Sequence, residues 1–210
     1  MNYKMHPVYF LVITLAKAVT KAIFHTKVIN KDKLIQDKTC IYVANHQSFL
    51  DPPLIGQLFE DEVYFLARKT LMNHPVMEYA LPRLNVIPID QERPDPGSIL
   101  KVLRTVRQGK SIVIFPEGSR CEDGQMHDAM PGIGLILGRL ADIPVQPIRI
   151  EGAYDCLPPH RSTIKLRPIT LSVGDPIPFT AEELKARGRE GQLAIGRKIM
   201  DAIKALPLQP

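Results

Sequence analysis

The sequence predicts one α/β domain with a mixed, largely parallel sheet flanked by helices and preceded by a basic amphipathic N-terminal helix. Short apolar and β-branched runs alternate with helix candidates through the middle of the chain, which is typical of such a sheet. A chain of 210 residues is long enough for one domain with a short appendage. The excess of positive charge lies entirely near the N-terminus, which separates that appendage from a balanced remainder.

The predicted strands are short runs that suit burial on both faces of a sheet. They are CIYVA, VYFLA, NVIPI, SIVIF, VQPIRIE and TIKLRPITLSV in chain order. Helix candidates lie between them. Asp51 and Asp95 each precede a proline, which is a helix-start signal, and Thr180 with Glu183 forms a capping box before the closing helical region.

The N-terminal 38 residues carry seven lysines and two acids, while the net charge of the whole chain is +5. The stretch PVYFLVITLAKAVTKAIFH places aromatic, aliphatic and lysine residues at near-helical spacing, so it favours a helix lying in a membrane interface over a nucleic-acid arm. Each lysine near an anionic leaflet adds about 1 kcal/mol. We therefore divide the chain into an N-terminal membrane-interface helix at 1–30 and an α/β domain at 31–210.

Two other interpretations of this helix remain open. It can pack on its own domain, or it can be a signal peptide with Ala16-Lys17-Ala18 near the cleavage site. An uninterrupted apolar run of about 18 residues is absent, so the sequence does not predict a transmembrane helix. Cys40, Cys121 and Cys156 form neither a disulfide framework nor a CxxC pair, which favours a reducing cytosolic compartment.

The motif NHQSFLD directly follows a predicted strand and places His46 five residues before Asp51. A histidine acts as a general base when a carboxylate orients its ring, so the two residues can form a catalytic pair. Asp51 can also be only the N-cap of the next helix, and the two roles can coexist. Ser48 has no G-x-S-x-G context for a nucleophile. No HExxH or His/Cys cluster predicts a metal site.

The motif FPEGSR follows another predicted strand, so it should share a sheet edge with NHQSFLD. Gly118 permits a tight turn, and Arg120 offers a planar fork for phosphate or carboxylate. Glu117 can accept hydrogen bonds from a polyol or pair with an arginine. The alternative is an ordinary strand-end loop with a solvated arginine.

A third polar cluster follows NVIPI and includes Asp90 and Arg93, while Arg68 and Lys69 follow VYFLA. Together with Arg120, these cations can form a pocket for a phosphorylated acceptor. The alternative is a solvated surface of mixed sign.

Together, NHQSFLD, NVIPIDQER, FPEGSR and IPVQPIRI resemble, in this order and over about residues 40–152, the four motif blocks of the glycerolipid acyltransferase family, and most closely its lysophosphatidate acyltransferases. The resemblance implies acyl transfer from a thioester of CoA or acyl carrier protein to a lysophospholipid hydroxyl, without metal or organic cofactor. It implies work at the cytoplasmic face of a membrane as a peripheral or monotopic protein, with an anionic membrane surface as partner and no nucleic acid.

The resemblance also implies residue roles. His46 deprotonates the acceptor hydroxyl, Asp51 orients His46, and no acyl-enzyme forms. The implied substrate-binding residues are Asn45, Ser48, Lys69, Arg93, Glu117, Gly118, Ser119 and Arg120.

Two departures from the family pattern touch the acceptor side. Gln91 stands where a phosphate-binding arginine is expected, with Arg93 two positions later, and Asn85 replaces a glycine. Asparagine tolerates a left-handed backbone better than most residues. An acyltransferase for another lipid acceptor, a non-catalytic lipid-binding protein and a thioester hydrolase therefore stay as rival hypotheses.

Overall fold

A computed structural model of the chain describes residues 7–90, 96–185 and 188–208. Within these residues a seven-stranded sheet has the order β1-β7-β6-β2-β5-β3-β4, and all neighbours are parallel except β6 and β7. The strands are β1 Lys27–Ile29, β2 Ile41–Ala44, β3 Tyr64–Arg68, β4 Val86–Ile89, β5 Ile112–Ile114, β6 Val145–Glu151 and β7 Thr170–Val173. The predicted α/β fold with a mixed, largely parallel sheet is confirmed.

Helices connect the strands and cover both faces of the sheet. They are α1 Pro7–Phe24, α2 Asp51–Gly56, α3 Pro75–Ala80, α4 Pro96–Arg107, α5 Gly132–Leu137, α6 Ala153–Cys156, α7 Ala181–Lys185 and α8 Gly188–Lys204. The described ranges also contain three 3-10 helices, Lys31–Lys33, Lys69–Asn73 and Leu81–Leu84. The predicted capping box is present, because Thr180 N donates to Glu183 Oε2 at 2.6 Å and Glu183 N donates to Thr180 Oγ1 at 3.1 Å.

The core consists of two layers on opposite faces of the sheet. Ile41 and Val43 of β2 pack with α4, α5 and α8, whereas Tyr42 and Ala44 pack with α1 and α2. Successive strand residues point to opposite faces, so both residue sets are buried at once. This double burial explains why the strands are nearly continuous apolar runs.

Most predicted strands are present, but TIKLRPITLSV is strand only at Thr170–Val173. The residues 161–168 before it are exposed and irregular. Pro168 contributes to this result because proline has no amide hydrogen to donate to a ladder. The predicted helix start at Asp95 lies outside the described residues.

Helix α1 packs along one line against α2 and the start of β3. The buried Tyr9 hydroxyl accepts a hydrogen bond from Val63 N at 3.2 Å, and Thr20 Oγ1 donates to Gln57 Oε1 at 2.9 Å. Phe24 is buried at its end. One side of the helix therefore packs on the domain, and its role at a membrane interface stays a prediction.

The rest of α1 is exposed and apolar. By length and composition it is the one described helix that could cross a membrane, which the sequence did not predict. The exposed large side chains are Val8, Phe10, Leu11, Val12, Leu15, Val19 and Ile23. Strand β1 lies before residue 30 but pairs with β7, so it belongs to the sheet of the domain. The division of the chain at residue 30 stays a prediction.

Candidate active site

The loops that follow β2 and β5 meet at one edge of the sheet, as the sequence predicts. These strands are parallel neighbours, with Val43 opposite Ile114. The loops carry NHQSFLD and FPEGSR, and Glu117 Oε1 accepts a hydrogen bond from His46 N at 2.7 Å. The two motifs therefore form one site at the carboxyl ends of parallel strands, where ligands bind in this fold class.

His46 and Asp51 are in direct contact. The Nδ1 atom of His46 lies 2.8 Å from Oδ2 of Asp51, whose side chain is fully buried. The same oxygen accepts hydrogen bonds from the amides of Gln47 at 2.5 Å and Ser48 at 2.7 Å. Three donors therefore hold one carboxylate oxygen still, which fixes the histidine ring relative to the loop.

The N-cap interpretation of Asp51 needs correction. Asp51 is the first residue of α2, and Leu50 occupies the cap position without a side-chain cap. The carboxylate binds amides that precede the helix instead of amides inside its first turn, because the loop folds back over it. Its other oxygen, Oδ1, is buried without a hydrogen-bond partner among the described residues.

The imidazole of His46 contacts Asp51 through Nδ1 and an aromatic ring through one face. It stacks on the Phe115 ring with a centroid distance of 4.1 Å and an interplanar angle of 17°. Its side chain keeps 18% exposure. A neutral imidazole that donates Nδ1–H to Asp51 has its lone pair on Nε2, the tautomer of a general base.

Glu117 is buried and supports the loops on both sides of it. One carboxylate oxygen accepts from His46 N, and the other accepts from His127 N at 3.0 Å. Burial raises the pKa of this carboxyl, while the two amide hydrogen bonds lower it. Because both oxygens bind main-chain amides, this geometry favours a positioning role over the polyol binding or arginine pairing considered from the sequence.

Asn45 and Ser48 are also fully buried and bind the main chain. The Asn45 amide donates to Ile150 O and accepts from Ile150 N, both at 2.8 Å, which ties the end of β2 to β6. Ser48 Oγ donates to Leu157 O at 2.7 Å and accepts from Leu50 N. These contacts favour positioning roles for both residues over the predicted substrate binding.

Gly118 has a left-handed backbone, with φ of +75°. A Cβ atom at this position would lie 2.9 Å from Cγ of Met130, so both backbone and space require glycine. Asn85, which replaces a family glycine, likewise has φ of +57°. The prediction that asparagine takes a left-handed conformation here agrees with this geometry.

Arg120 lies beside the pair and stacks on an exposed aromatic ring. Its guanidinium carbon is 3.4 Å from the centroid of Phe49, whose exposure is 57%. Burial lowers the pKa of Arg120, the Asp51 carboxylate raises it and Arg68 lowers it. The Nη1 atom of Arg120 is buried without a hydrogen-bond partner among the described residues, so it has an unused donor for an anion.

A cavity of about 450 Å³ opens beside these loops at the ends of β3, β4 and β5. It brings together four of the predicted substrate-binding residues, Lys69, Glu117, Gly118 and Ser119. The lining residues are Arg68, Lys69, Thr70, Asn73, Ile89, Asp90, Glu117, Gly118, Ser119 and Met130. The predicted Arg93 and the departure at Gln91 lie outside the described residues.

Phe49 and Phe115 belong to the site, although sequence reasoning assigned them no role. Phe49 lies in NHQSFLD and Phe115 begins FPEGSR. The presence of an aromatic residue in each motif is the sequence signal that could have indicated a role in the site. In the described ranges, no group of three or more His, Cys, Asp and Glu side chains is arranged to hold a metal ion. Burial raises the pKa of Cys121 to about 11, so it stays a thiol at neutral pH.

The chain is similar to known acyltransferases. A family model described as acyltransferase matches residues 25–151. A chloroplast 1-acyl-sn-glycerol-3-phosphate acyltransferase of Brassica napus is 32% identical over 129 residues, which is 58% of this chain and 36% of that protein. The 1-acyl-sn-glycerol-3-phosphate acyltransferase of Bacillus subtilis is 24% identical over 153 residues, 72% of this chain and 73% of that protein.

The fold also matches a solved structure. The crystal structure of the 1-acyl-sn-glycerophosphate acyltransferase PlsC from Thermotoga maritima has a TM-score of 0.68 and 23% identity, covering 98% of this chain and 85% of that one. This likeness supports the fold. The chain spans about a third of the length of the two plant relatives, from Brassica napus and Arabidopsis thaliana. The family model covers more than half of the chain and confirms the resemblance read from the four motifs: the chain belongs to the acyltransferase family.

Proposed function

We propose that this protein is an O-acyltransferase that moves a fatty acyl group from an acyl thioester to the free hydroxyl of a lysophospholipid, with 1-acylglycerol-3-phosphate as the acceptor. The observation that carries the proposal is the 2.8 Å contact between His46 Nδ1 and the buried Asp51 carboxylate, next to a cavity that Arg68 and Lys69 help to line. The names of the curated relatives support the same acceptor.

The pair provides a general base for the reaction. Nε2 of His46 takes the proton from the acceptor hydroxyl, and the oxygen attacks the thioester carbonyl carbon. A carbon–oxygen bond forms and the carbon–sulfur bond breaks. The imidazolium returns its proton to the departing thiolate, so histidine ends the cycle neutral. Asp51 stabilises the imidazolium and keeps the ring in one tautomer.

The acceptor phosphate lies among cations at the cavity. Arg68 and Lys69 line its wall, and Arg120 has a buried Nη1 without a hydrogen-bond partner among the described residues. A guanidinium binds a phosphate through two parallel hydrogen bonds, so Arg120 is the residue we assign to this group. The main chain at Gly118 and the side chain of Ser119 border the same space. Arg93 remains a further candidate from the sequence.

The buried residues around the pair have positioning roles. Glu117, Asn45 and Ser48 use their polar side chains on main-chain groups of neighbouring loops and of β6. A base held by such contacts loses little freedom when the substrate binds, which is how preorganisation lowers a barrier. We assign these residues to support of the pair, not to contact with substrate.

The donor is acyl-CoA or acyl carrier protein, and the protein works as a peripheral or monotopic protein at the cytoplasmic face of a membrane. The exposed apolar side of α1, with Lys17 and Lys21 on the same helix, supports contact with an anionic lipid surface. Neither donor requires a metal or an organic cofactor in this mechanism.

The test is transfer of a labelled acyl group from a long-chain acyl-CoA to lysophosphatidate dispersed in detergent. His46→Ala should lower kcat by about 10² or more, as expected for loss of a general base. The matched control is His127→Ala, because His127 also contacts an aspartate, Asp123, at 2.9 Å but lies in an exposed loop. We expect that control to keep activity.

The result has three contrary outcomes. Activity that survives His46→Ala in a folded variant would sink the mechanism. Loss of thioester without an acceptor would identify a hydrolase. Transfer to a lysolipid without phosphate, in preference to lysophosphatidate, would remove the assignment of Arg120.

A further inference from the structure

The segment between β3 and β4 is apolar but contributes nothing to the core. This β3–β4 segment, residues 69–84, consists of the 3-10 helix Lys69–Asn73, helix α3 and the 3-10 helix Leu81–Leu84, and none of its residues is buried. Its apolar residues and prolines make up most of its length. They are Leu71, Met72, Pro75, Val76, Met77, Tyr79, Ala80, Leu81, Pro82 and Leu84.

This exposure is unusual for a short helical segment. Val76 has 61% exposure and Tyr79 has 66%, and Leu71 and Met77 are exposed as well. A helix as short as α3 gains too little from its own hydrogen bonds to be stable alone, so it depends on burial of apolar side chains. A contiguous apolar patch on a protein surface marks a site of interaction.

Helix α1 lies beside this segment. It contacts the 3-10 helix Leu81–Leu84, and its outer side is also apolar. Together the two elements hold most of the exposed large hydrophobic side chains in the described residues. These are Val8, Phe10, Leu11, Val12, Leu15, Val19 and Ile23 on α1, and Leu71, Val76, Met77 and Tyr79 on the β3–β4 segment.

The charges on α1 and on residues 68–84 favour an anionic partner, while Glu62 lies close to the buried side of α1, near Tyr9. In α1 and residues 68–84 the sequence has one acid, Glu78. The cations of the same ranges are Lys17, Lys21, Arg68, Lys69 and Arg83. A protein partner with an apolar surface has no need of this asymmetry, whereas an anionic bilayer offers both an apolar interior and negative headgroups.

The Tyr79–Arg83 pair has the form of an interface anchor. The Arg83 guanidinium carbon lies 3.6 Å from the Tyr79 ring centroid, and its Nη1 donates to Tyr79 O at 2.6 Å. A tyrosine ring and an arginine stem are both apolar along their length and polar at the tip. Such side chains suit the boundary between headgroups and acyl chains.

We propose that the β3–β4 segment is a second contact with an anionic lipid surface, next to the contact made by α1. The proposal rests on the proposed function only in assuming that α1 contacts an anionic lipid surface. The first residues of the segment, including Lys69, Thr70 and Asn73, also line the cavity beside the active site. Contact of this segment with lipid therefore brings the cavity to the membrane surface, where a lysophospholipid acceptor resides.

The test is binding of the full chain to vesicles of phosphatidylcholine with and without phosphatidylglycerol, measured by sedimentation. The variants are Val76→Ser/Met77→Ser and Tyr79→Ser. The matched control is Leu100→Ser, because Leu100 has 44% exposure on α4, which packs on the opposite face of the sheet. We expect the double variant to lower partition to anionic vesicles by about tenfold or more, because serine at both positions buries less apolar area in the lipid.

Partition of the double variant and Tyr79→Ser equal to that of Leu100→Ser would overturn the proposal. A change in the sedimentation of the lipid-free protein, without a change in vesicle binding, would show that a second copy covers this patch and would also overturn it. Acyl transfer to acceptor in detergent is measured on the same samples. Absence of acyl transfer by the wild-type protein would refute the proposed function, but it would not change the conclusion from vesicle binding.

Discussion

The loop at residues 45–51 and the β3–β4 segment both follow parallel strands at the same edge of the sheet, yet they are stabilised differently. In the loop, Asn45, Ser48 and Asp51 are fully buried, and each binds main-chain groups. In the β3–β4 segment no residue is buried, although most of its side chains are apolar. These three polar side chains of the loop have hydrogen-bond partners within the protein. The apolar side chains of the segment are exposed, and we propose that they contact lipid.

This difference has a physical reason. A general base must be positioned before the substrate arrives, so its support comes from the protein interior, where hydrogen bonds are exchanged with few water molecules. A lipid-binding element must present apolar area to a partner, and apolar area that is already buried cannot be buried again. We therefore expect substitutions in the loop to affect stability and chemistry, and substitutions in the segment to affect lipid binding alone.

The largest expected effect is that of Asp51→Asn. An asparagine cannot accept from His46 Nδ1–H and both loop amides as a charged carboxylate does, and it favours the wrong tautomer. We expect kcat to fall by about 10³–10⁴. Steady-state acyl transfer measures this, with Asp123→Asn as a control in the exposed pair. Equal activity in both variants would mean that the buried contact is not catalytic.

Asn45→Ala should mainly reduce stability. The change removes two 2.8 Å hydrogen bonds and leaves the buried N–H and C=O of Ile150 without these partners. We expect the free energy of unfolding to fall by about 1–3 kcal/mol for each group left unsatisfied. Urea denaturation measures the loss. A loss below about 0.5 kcal/mol, the range of ordinary surface changes, would contradict the distinction between the two regions.

Glu117→Gln tests the support that the loop after β5 gives to the loop at residues 45–51. The glutamine amide nitrogen would face either His46 N or His127 N, so one main-chain donor loses its acceptor. We expect kcat to fall by about 10- to 100-fold through displacement of His46, with little change in KM for the acceptor. A KM effect with unchanged kcat would instead assign Glu117 to the acceptor site.

Glu117 also predicts a pH dependence of stability. Burial raises its pKa in the folded state, so the folded protein binds this proton more tightly than the unfolded chain. Its contribution to stability is full below the unfolded pKa of about 4.3 and is lost as pH rises through the raised folded pKa. The urea midpoint of wild type should therefore decline relative to that of Glu117→Gln across this window. Parallel curves would show that the carboxyl is not desolvated.

The smallest expected effect is that of Val76→Ser/Met77→Ser on stability in solution. Neither side chain is buried, so the free energy of unfolding should change by about 0.5 kcal/mol or less. Urea denaturation without lipid measures it. A loss of several kcal/mol would mean that the segment belongs to the core and that the contrast between the two regions is wrong.

Much of the fold and part of the site could be predicted because the signals are local. Strands buried on both faces must be continuously apolar, so β2, β5 and β6 stand out in the sequence. A polar motif directly after such a strand must lie at the sheet edge, which placed His46 near Glu117. The four ordered motifs indicated the family through their resemblance to its pattern.

Side-chain roles inside the site were harder to predict. The sequence assigned Glu117, Asn45 and Ser48 to substrate, but main-chain groups of remote segments occupy them. The sequence also left Asp51 between a helix cap and an orienting acid, and the fold of the loop decided in favour of contact with His46. A polar side chain takes the partner that lies nearest in space, and spacing along the chain does not specify that partner.

The sequence by itself determined most of the sheet, the edge on which the site lies, His46 and Asp51 as candidates for a pair, and the basic apolar character of α1. Only the tertiary structure decided which polar groups point inward and which apolar groups stay outside, as in the β3–β4 segment. The physical reason is that periodicity and spacing report the local chain path, whereas burial depends on which remote elements cover a residue. In residues 69–84 no described element buries any side chain, and the apolar side chains remain available to lipid.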